Sequence, residues 1–320
     1  MDFDLKNYRI LVTGARGTLG SRLTECLVKA QASVVGVGRT VSASGRMPEG
    51  DLEFLAGDLF DARFVDKALD RLQDTSHKKL AIFHLAAMGD AKQCADHPKE
   101  AFQQNVVVTA NLLSRCVKKN ITRMIYPSTA YVYAQEKGRL REDALLQPKF
   151  VYPLTKLVAE ETIQGYSRFC ELSCDILRVS NVYGPDSKPN TILGTMLFQS
   201  ETQKSIFLHD LFPVRDFIYI DDVLEALIRV LLAGDEKGCR VFNLSTGVGT
   251  SVGELAKSFC AAKGLPEMII QCKNRTGKES ALVLANDALC HRIGWRPKYS
   301  VVQGIKRTLL QRKESAYAQA

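Results

Sequence analysis

Residues 13–20 read Thr-Gly-Ala-Arg-Gly-Thr-Leu-Gly and directly follow an apolar run at residues 10–12. This order predicts a short buried strand, a glycine-rich turn and the start of a helix. Gly14 permits a tight turn, Gly17 lets a pyrophosphate approach the backbone, and Gly20 lets the helix pack on the strand. Amides at the helix start would bind the phosphates. The stretch therefore predicts a dinucleotide site, and the alternative is an ordinary glycine-rich strand-to-helix turn.

The composition indicates a globular chain. Its 320 residues are 46% apolar, and no apolar run approaches the roughly 18 residues that a membrane helix needs. The charged start of the sequence shows no apolar signal-peptide region. Nine cysteines without a Cys-x-x-Cys pair indicate reduced thiols and no metal site. We therefore expect a cytoplasmic protein that has no membrane segment.

The net charge of +8 favours an anionic partner. Nucleic acid is one such partner, but the basic residues are dispersed apart from a modest excess between Lys298 and Lys313. No alternation of aromatic and basic residues indicates stacked bases. The charge therefore points to an anionic small molecule rather than to nucleic acid.

Apolar strands alternate with helices through the first half of the chain. The predicted strands after the first are 33–39, 52–55, 80–87, 124–127 and 174–179, and the main predicted helices are 61–72, 105–118 and 153–170. Such alternation predicts an α/β fold, a Rossmann-type doubly wound parallel sheet covered by helices on both faces. We assign it to residues 1–180, with segments returning near 214–246. Residues 181–320 lack the alternation, and we expect most of them to form a smaller mixed α/β substrate lobe.

Tyr152 and Lys156 lie four residues apart, which places them on one face at the start of a predicted helix. A phenol with a pKa near 10 is a poor base at neutral pH, and a neighbouring cation lowers that pKa. A shift of about three units corresponds to roughly 4 kcal/mol. Ser128 and Thr129 end a predicted strand, so their hydroxyls lie at the ligand-binding edge of the sheet. The pattern predicts an acid/base tyrosine beside a nicotinamide.

Three motifs resemble those of the extended short-chain dehydrogenase/reductases: the glycine pattern at 13–20, Ser128-Thr129 ahead of Val132-Tyr133, and Tyr152 with Lys156. Further matches resemble the nucleotide-sugar epimerase/dehydratase branch of that family: Asp58-Leu59, His84-Leu-Ala-Ala87, Asn105, Arg178-Val-Ser-Asn-Val-Tyr-Gly-Pro185, Arg215-Asp-Phe-Ile-Tyr-Ile-Asp-Asp222 and Ile293-Gly-Trp-x-Pro297. The matches span residues 9–297, which is nearly the whole chain.

The resemblance implies a cofactor site along the predicted sheet edge. Asp58 and Leu59 would meet the adenine, and Lys156 would bind the nicotinamide ribose while it poises Tyr152. Asn105 would help to order the site from its helix. The remaining cofactor residues, which would line the phosphates and ribose, are Gly14, Arg16, Gly17, Thr18, Leu19, Gly20, Leu85, Ala86 and Ala87.

The resemblance also implies a site for a nucleoside diphosphate sugar. Thr129 would hydrogen-bond the reacting sugar oxygen, with Ser128 beside it. Asn181, Arg215 and Arg275 would hold the diphosphate, because guanidinium groups bind phosphate oxygens in pairs. For the two arginines the alternative is an ion pair at the surface or between the lobes.

Two departures from the family pattern bear on the reaction and the cofactor. Dehydratases of this branch carry an Asp-Glu pair after the catalytic threonine, whereas this chain has Ala130 and Tyr131, which argues against a 4,6-dehydratase. At the end of the second strand, NAD-binding chains carry an acidic residue for the ribose 2′-hydroxyl, whereas this chain has Arg39. Arg39, together with Arg16, suits the 2′-phosphate of NADP(H), and stacking of Arg39 on adenine is the alternative.

The main hypothesis is an NADP(H)-dependent reductase of a 4-keto nucleotide sugar, in which the catalytic residues are Thr129, Tyr152 and Lys156; NAD(H) is the alternative cofactor. One alternative is a nucleotide-sugar 4-epimerase that oxidises and re-reduces the sugar with a retained cofactor. A second is a cofactor-binding or sensing protein without turnover. We expect a homodimer that binds a nucleotide diphosphate sugar. The nucleotide base, the sugar and the configuration at C4 stay open.

Overall fold

The computed structural model describes residues 3–40, 50–74, 76, 79–136, 138–234, 236–267, 270–272 and 280–317, with side chains described up to residue 314. Arg275, which we assigned to substrate binding, lies outside the described residues. Among the described helices, none has the length and apolar character needed to cross a membrane.

The elements follow one another in an α/β order. Up to residue 140 they are β1 (Tyr8–Thr13), α1 (Thr18–Lys29), β2 (Ser33–Gly38), β3 (Leu52–Ala56), α2 (Ala62–Gln73), β4 (Lys79–His84), α3 (Ala91–Asp96), α4 (Pro98–Phe102), a π-helical turn (Gln103–Val107), α5 (Val108–Lys118), β5 (Arg123–Thr129), a 3-10 turn (Ala130–Val132) and β6 (Arg139–Leu140). The remaining ones are α6 (Val151–Cys170), β7 (Ser173–Val179), β8 (Asn181–Tyr183), α7 (Ile192–Thr202), β9 (Ile206–Leu208), β10 (Val214–Tyr219), α8 (Ile220–Leu232), β11 (Cys239–Leu244), β12 (Gly249–Ser251), α9 (Val252–Lys263), β13 (Ile270–Cys272), β14 (Ala281–Leu284), α10 (Asp287–Ile293) and α11 (Val301–Tyr317).

The chain divides into two compact units. The first contains Met1–Val132, Leu146–Arg178 and Leu224–Phe242, and the second contains Tyr133–Leu145, Val179–Val223 and Asn243–Ala320. The predicted division was 1–180 and 181–320, with returning segments near 214–246. In the structure, residues 133–145 also belong to the second unit, and the returning segment of the first unit is 224–242.

The first unit is built on a seven-stranded sheet in the order β11-β7-β5-β4-β1-β2-β3. The pairs from β3 to β5 run parallel. Strand β1 is apolar and buried because helices cover both faces of the sheet, and its residues Ile10, Leu11 and Val12 have no exposed surface. Helix α1 packs through Leu23 and Leu27, both fully buried. The predicted Rossmann-type sheet is confirmed.

A buried ion-pair ladder joins three neighbouring strands at one side of this sheet. Asp175 on β7 lies between Arg123 on β5 and Arg240 on β11. Its carboxylate oxygens are 2.6 Å from Arg123 Nη1 and 2.7 Å from Arg240 Nε. Because the side chains of Arg123 and Asp175 are almost fully buried, each charge depends on the other for compensation.

The second unit contains a sheet in the order β12-β10-β14-β6, with β8 paired to β10, and a separate β9-β13 pair. A capping box begins α9. Ser251 Oγ accepts a hydrogen bond from Glu254 N at 3.1 Å, and the Glu254 carboxylate accepts one from Ser251 N at 2.8 Å. The predicted smaller mixed α/β lobe is confirmed.

We expect Asp175→Ala to lower the free energy of unfolding by about 3–5 kcal/mol, because it leaves Arg123 buried without its carboxylate. Denaturant unfolding monitored by circular dichroism measures the change. Lys237→Ala, which breaks the exposed pair with Glu171, is the control and should change the same quantity by less than about 1 kcal/mol. Equal effects of the two substitutions would contradict a structural role for the ladder.

Candidate cofactor and catalytic site

The turn between β1 and α1 is shaped by close backbone contacts. Gly14 has φ +67°, a left-handed conformation that favours glycine. A Cβ atom on Gly14 would lie 2.8 Å from Ala86 N, and one on Gly20 would lie 2.1 Å from Gly14 O. Gly17 is the N-cap residue of α1, so no side chain competes for the first amides of the helix. These amides and the approach between Gly14 and Ala86 fit the pyrophosphate of a dinucleotide.

The sheet order reverses between β1 and β4, where a doubly wound sheet binds its ligand. Leu85, Ala86 and Ala87 follow β4 at this edge, and Arg39 is exposed directly after β2. The guanidinium of Arg16 lies over the Phe54 ring, 4.4 Å from its centroid. The carboxyl edge of the sheet therefore carries residues that we assigned to the cofactor.

The loop after β3 is fixed by hydrogen bonds. Asp58 Oδ1 accepts a hydrogen bond from Phe60 N at 2.9 Å, and Asn111 on α5 donates to Leu59 O at 2.8 Å. The side chain of Leu59 is buried. Asp58 and Leu59 thus occupy a defined turn next to β3, as expected for residues that line the adenine.

The proposed catalytic residues lie on α6 and at the end of β5. Thr129 is the last residue of β5, and its Oγ1 accepts a hydrogen bond from Tyr131 N at 3.3 Å. Tyr152 and Lys156 belong to the first two turns of α6; Tyr152 is half-buried and Lys156 is buried. Burial lowers the pKa of Lys156 to about 7, although Glu160 acts in the opposite direction.

The sequence predicts that Lys156 lowers the pKa of Tyr152, and this prediction is wrong. Burial raises the pKa of Tyr152 to about 12, and the neighbouring Cys94 and Tyr131 raise it further. The physical reason is that burial disfavours a phenolate, while a lysine with a pKa of about 7 carries its full positive charge only below neutral pH. In this structure the phenol is therefore protonated at neutral pH and can donate a proton.

Asn105 joins the segment after β4 to the first turn of α6. It is buried in the π-helical turn, where its Oδ1 accepts a hydrogen bond from Met88 N at 2.7 Å. Its Nδ2 donates to Met88 O at 3.1 Å and to Thr155 Oγ1 at 2.8 Å. Thr155 in turn donates to Tyr152 O at 2.7 Å. Asn105 is thus connected to the turn that carries the candidate acid, consistent with the ordering role implied by the resemblance.

A second chain of hydrogen bonds passes through His84 and defines its tautomer. Thr109 Oγ1 donates to Asn105 O at 2.6 Å, so His84 Nε2, 3.0 Å from Thr109 Oγ1, must be the donor of that pair. Nδ1 then accepts the hydroxyl proton of Thr13 at 2.7 Å, and Thr13 Oγ1 accepts from Ala86 N at 3.1 Å. Burial, followed by the charge of Lys156, lowers the pKa of His84 to about 3. His84 is therefore a neutral bridge between β1, β4 and α5.

Glu160, Arg178 and Ser128 form a buried cluster that sequence reasoning missed. The Ser128 hydroxyl donates to the Glu160 carboxylate, which also accepts hydrogen bonds from Arg178 Nη2 at 2.8 Å and Nε at 3.1 Å. Ser128, which we assigned to substrate binding, thus already donates its proton to a protein carboxylate. The available sequence signal was an acidic residue four positions after Lys156, on the buried face of α6.

Asn181 and Arg215 lie on neighbouring strands of the second unit. Strand β8 pairs with β10, so Asn181 is beside Phe217, and Asn181 Nδ2 donates to Asp216 O at 3.2 Å. The Arg215 guanidinium donates to Ser280 O at 2.9 Å and to Ser280 Oγ at 3.0 Å. These two predicted substrate residues therefore lie on paired strands, and Arg215 is two residues from the register partner of Asn181.

Asp216 is a positioning residue that sequence reasoning missed. Its buried carboxylate accepts hydrogen bonds from Thr246 N and Gly247 N, both at 2.9 Å, and from Thr246 Oγ1 at 2.7 Å. Ser180 Oγ donates to the same carboxylate at 3.2 Å. Asp216 therefore ties the loop after β11 to the strands that carry Asn181 and Arg215.

The fold and these residues define a dinucleotide-binding protein of the short-chain dehydrogenase/reductase type. The model of the NAD dependent epimerase/dehydratase family matches residues 10–245, and the chain belongs to that family. The resemblance inferred from the motifs is thus confirmed, and so is the prediction of an enzyme. The family description names NAD as the cofactor.

Similar proteins are known from sequence and structure. The UDP-glucose 4-epimerase of Mycolicibacterium smegmatis is 28% identical, and the alignment covers 94% of this chain and 97% of that one. The structure of MoeE5 in complex with UDP-glucose and NAD is 26% identical, with a TM-score of 0.85 and coverage of 96% of this chain and 99% of that one. The UDP-glucose 4-epimerase of Thermotoga maritima with UDP-glucose is 25% identical, with a TM-score of 0.84 and the same coverage. These relatives favour the epimerase alternative over the reductase.

We expect His84 to stay in its neutral Nε2–H form from pH 5 to 8, as nitrogen-15 NMR of the histidine rings would show. Its pKa is lowered from 6.5 to about 3, so below pH 6.5 the unfolded chain binds a proton that the folded chain does not. The free energy of unfolding should therefore fall with decreasing pH, with a contribution from His84 of up to about 1.4 kcal/mol per pH unit.

The exposed His291 provides the control for this measurement. His291→Gln should leave the additional slope below pH 6.5 unchanged, whereas His84→Gln should remove it. A His84 resonance that titrates with a midpoint between pH 5 and 8 would contradict the assignment of a neutral bridge.

Proposed function

We propose that this protein is a nucleotide-sugar 4-epimerase that retains its cofactor through each turnover. The observation that carries the proposal is the placement of Tyr152 and Lys156 on α6, tied through Thr155 and Asn105 to the segment that follows β4. That segment lies against the glycine turn, because the backbone of Ala86 is in close contact with Gly14. These hydrogen bonds connect the turn of α6 that carries the Tyr152 phenol to the segment where a dinucleotide would fit.

A bound nicotinamide would supply the acceptor and donor of hydride at the sugar carbon. Tyr152 exchanges the proton of the sugar hydroxyl, and Thr129 orients that oxygen through its own hydroxyl. Lys156, with a pKa of about 7, carries a positive charge in about half of the molecules at neutral pH, and this charge favours the phenolate. We propose that Tyr152 enters the oxidation half-reaction as the phenolate, which the Lys156 charge stabilises, and returns the accepted proton during reduction.

Elimination of water needs an acid and a base, and carboxylates supply them in the dehydratases of this branch. The two residues after Thr129 are Ala130, which is buried, and Tyr131, and neither carries a carboxylate. An epimerase needs neither carboxylate. The residue set therefore favours redox exchange at one carbon over loss of water.

The proposed substrate is a nucleoside diphosphate sugar, and a UDP-linked hexose is the form bound in the solved relatives. Arg215 and Asn181, together with Arg275, are proposed to hold the diphosphate. We also propose a homodimer in the cytoplasm, as expected from the sequence.

An NADP(H)-dependent 4-keto-sugar reductase is the second candidate. It is favoured by Arg39, which is exposed at the end of β2, where NAD-binding chains of this fold carry a carboxylate. A guanidinium at this position suits a 2′-phosphate, and a reductase that releases its cofactor would use NADPH.

The purified protein should interconvert UDP-glucose and UDP-galactose without added nicotinamide cofactor, as chromatography of the nucleotide sugars would show. Tyr152→Phe should lower kcat by about 10²–10⁴-fold, because general acid–base catalysis contributes on this scale. Tyr166→Phe, a half-buried tyrosine farther along α6, should leave kcat within about twofold. Full activity of Tyr152→Phe would overturn the mechanism, and a strict requirement for stoichiometric NADPH would favour the reductase.

If Arg39 binds a 2′-phosphate, Arg39→Ala should weaken NADPH binding by about tenfold and leave NADH binding unchanged, as isothermal titration calorimetry would show. Arg63→Ala, a change in the first turn of α2, controls for the loss of a positive charge. An unchanged ratio of the two affinities in Arg39→Ala would remove the support for the reductase.

A further inference from the structure

The ammonium of Lys156 lies against an aromatic ring. Its Nζ is 3.9 Å from the centroid of the Tyr126 ring. Lys156 is 3% exposed and Tyr126 is 1% exposed, so water is largely excluded from the contact. A cation over a ring face within about 6 Å is attracted by the ring quadrupole, and the attraction is strongest where both groups are desolvated.

Three other groups face this pair. Glu160 lies one turn along α6; its charge raises the pKa of Lys156, and its carboxylate accepts hydrogen bonds from Arg178 and Ser128. His84 on β4 lies beside Tyr126, with ring centroids 5.7 Å apart, and it is neutral. Tyr152 on α6 is protonated at neutral pH. Among these groups, the Tyr126 ring is the one that the Lys156 ammonium contacts directly, through the face of the ring.

We propose that Tyr126 is a positioning residue whose ring holds the Lys156 ammonium in place and sustains its charge. The proposal rests on the catalytic role given to Lys156 under the proposed function. An ammonium has three N–H donors, and a carboxylate partner would engage one or two of them and offset the charge. A ring face attracts the cation electrostatically and leaves these donors for a ribose hydroxyl and for the phenol of Tyr152.

The pKa of Lys156 is the property on which the ring would act. Burial favours the neutral amine and lowers the pKa of Lys156 to about 7, while the charge of Glu160 acts in the opposite direction. Removal of the ring's attraction would disfavour the ammonium and lower the pKa further. At pH 7 a larger share of the molecules would then carry a neutral Lys156.

The test varies the ring quadrupole at position 126 without changing its shape. Tyr126→Phe and its mono-, di- and trifluorinated forms would be introduced at this position, and the Lys156 pKa would be followed from the nitrogen-15 shift of Nζ. Lys156→Arg identifies the resonance by its absence. We expect the acid dissociation constant of Lys156 in Tyr126→Phe to stay within about threefold of its wild-type value. Each added fluorine should raise that constant, and Tyr126→Leu should raise it by about thirtyfold, the equivalent of about 2 kcal/mol.

The same fluorinated residues at Phe64, which packs in the core from α2, are the control and should leave the Lys156 pKa unchanged. If the leucine variant does not fold, the fluorinated series still decides, because its members differ little in volume. A Lys156 pKa that is independent of fluorination would overturn the proposal. Because this readout needs no turnover, its result is separate from that of the epimerase assay, while the fall of kcat along the series tests the link to catalysis.

Discussion

A close backbone approach in the first unit is the constraint from which the rest of its site follows. Gly14 leaves no room for a side chain because the backbone of Ala86 lies against it, and Gly20 leaves none because the Gly14 carbonyl lies against it. These contacts bring the start of α1 and the end of β4 together at the strand where the sheet order reverses. The edge that results has exposed helix amides, which attract phosphate, and short side chains, which leave space for a ribose.

Behind that edge, polar groups are buried in pairs that satisfy each other. The hydrogen bonds of Thr13, His84 and Thr109 form a chain in which each group donates to the next. This chain fixes a single neutral tautomer of the histidine. Glu160 is compensated by Arg178 and Ser128. The ammonium of Lys156 lies over the face of the Tyr126 ring, and Glu160 is one helical turn away. The candidate site thus combines paired buried charges with a buried ammonium on an aromatic ring, and it is to this ammonium that we assign a catalytic role.

Periodicity and glycine spacing were sufficient to predict the parallel sheet, because both are local properties of the sequence. The capping box at Ser251 is a local pattern of the same kind. The assignment of 133–145 to the second unit was not predictable, because a short strand at Arg139–Leu140 pairs with β14, more than a hundred residues away. The direction of the Tyr152 pKa was missed for a related reason. Sequence spacing shows that Lys156 is near, but it shows neither how deeply the phenol is buried nor how burial changes the lysine.

The π-helical turn at Gln103–Val107 sets the direction of the Asn105 side chain relative to the buried face of the helix that follows. A π turn holds an additional residue relative to an α-helical turn, so every position after it is rotated about the axis by about 100°. Helix α5 buries Leu112 and Cys116 against the sheet in the phase that follows this turn. Deletion of one residue from the turn would make the helix regular throughout. A regular helix could then either bury the apolar residues of α5 or direct the Asn105 side-chain amide to Met88 and Thr155, but it could not do both. The widened turn therefore lets one continuous helical segment contribute both to the core and to the candidate site.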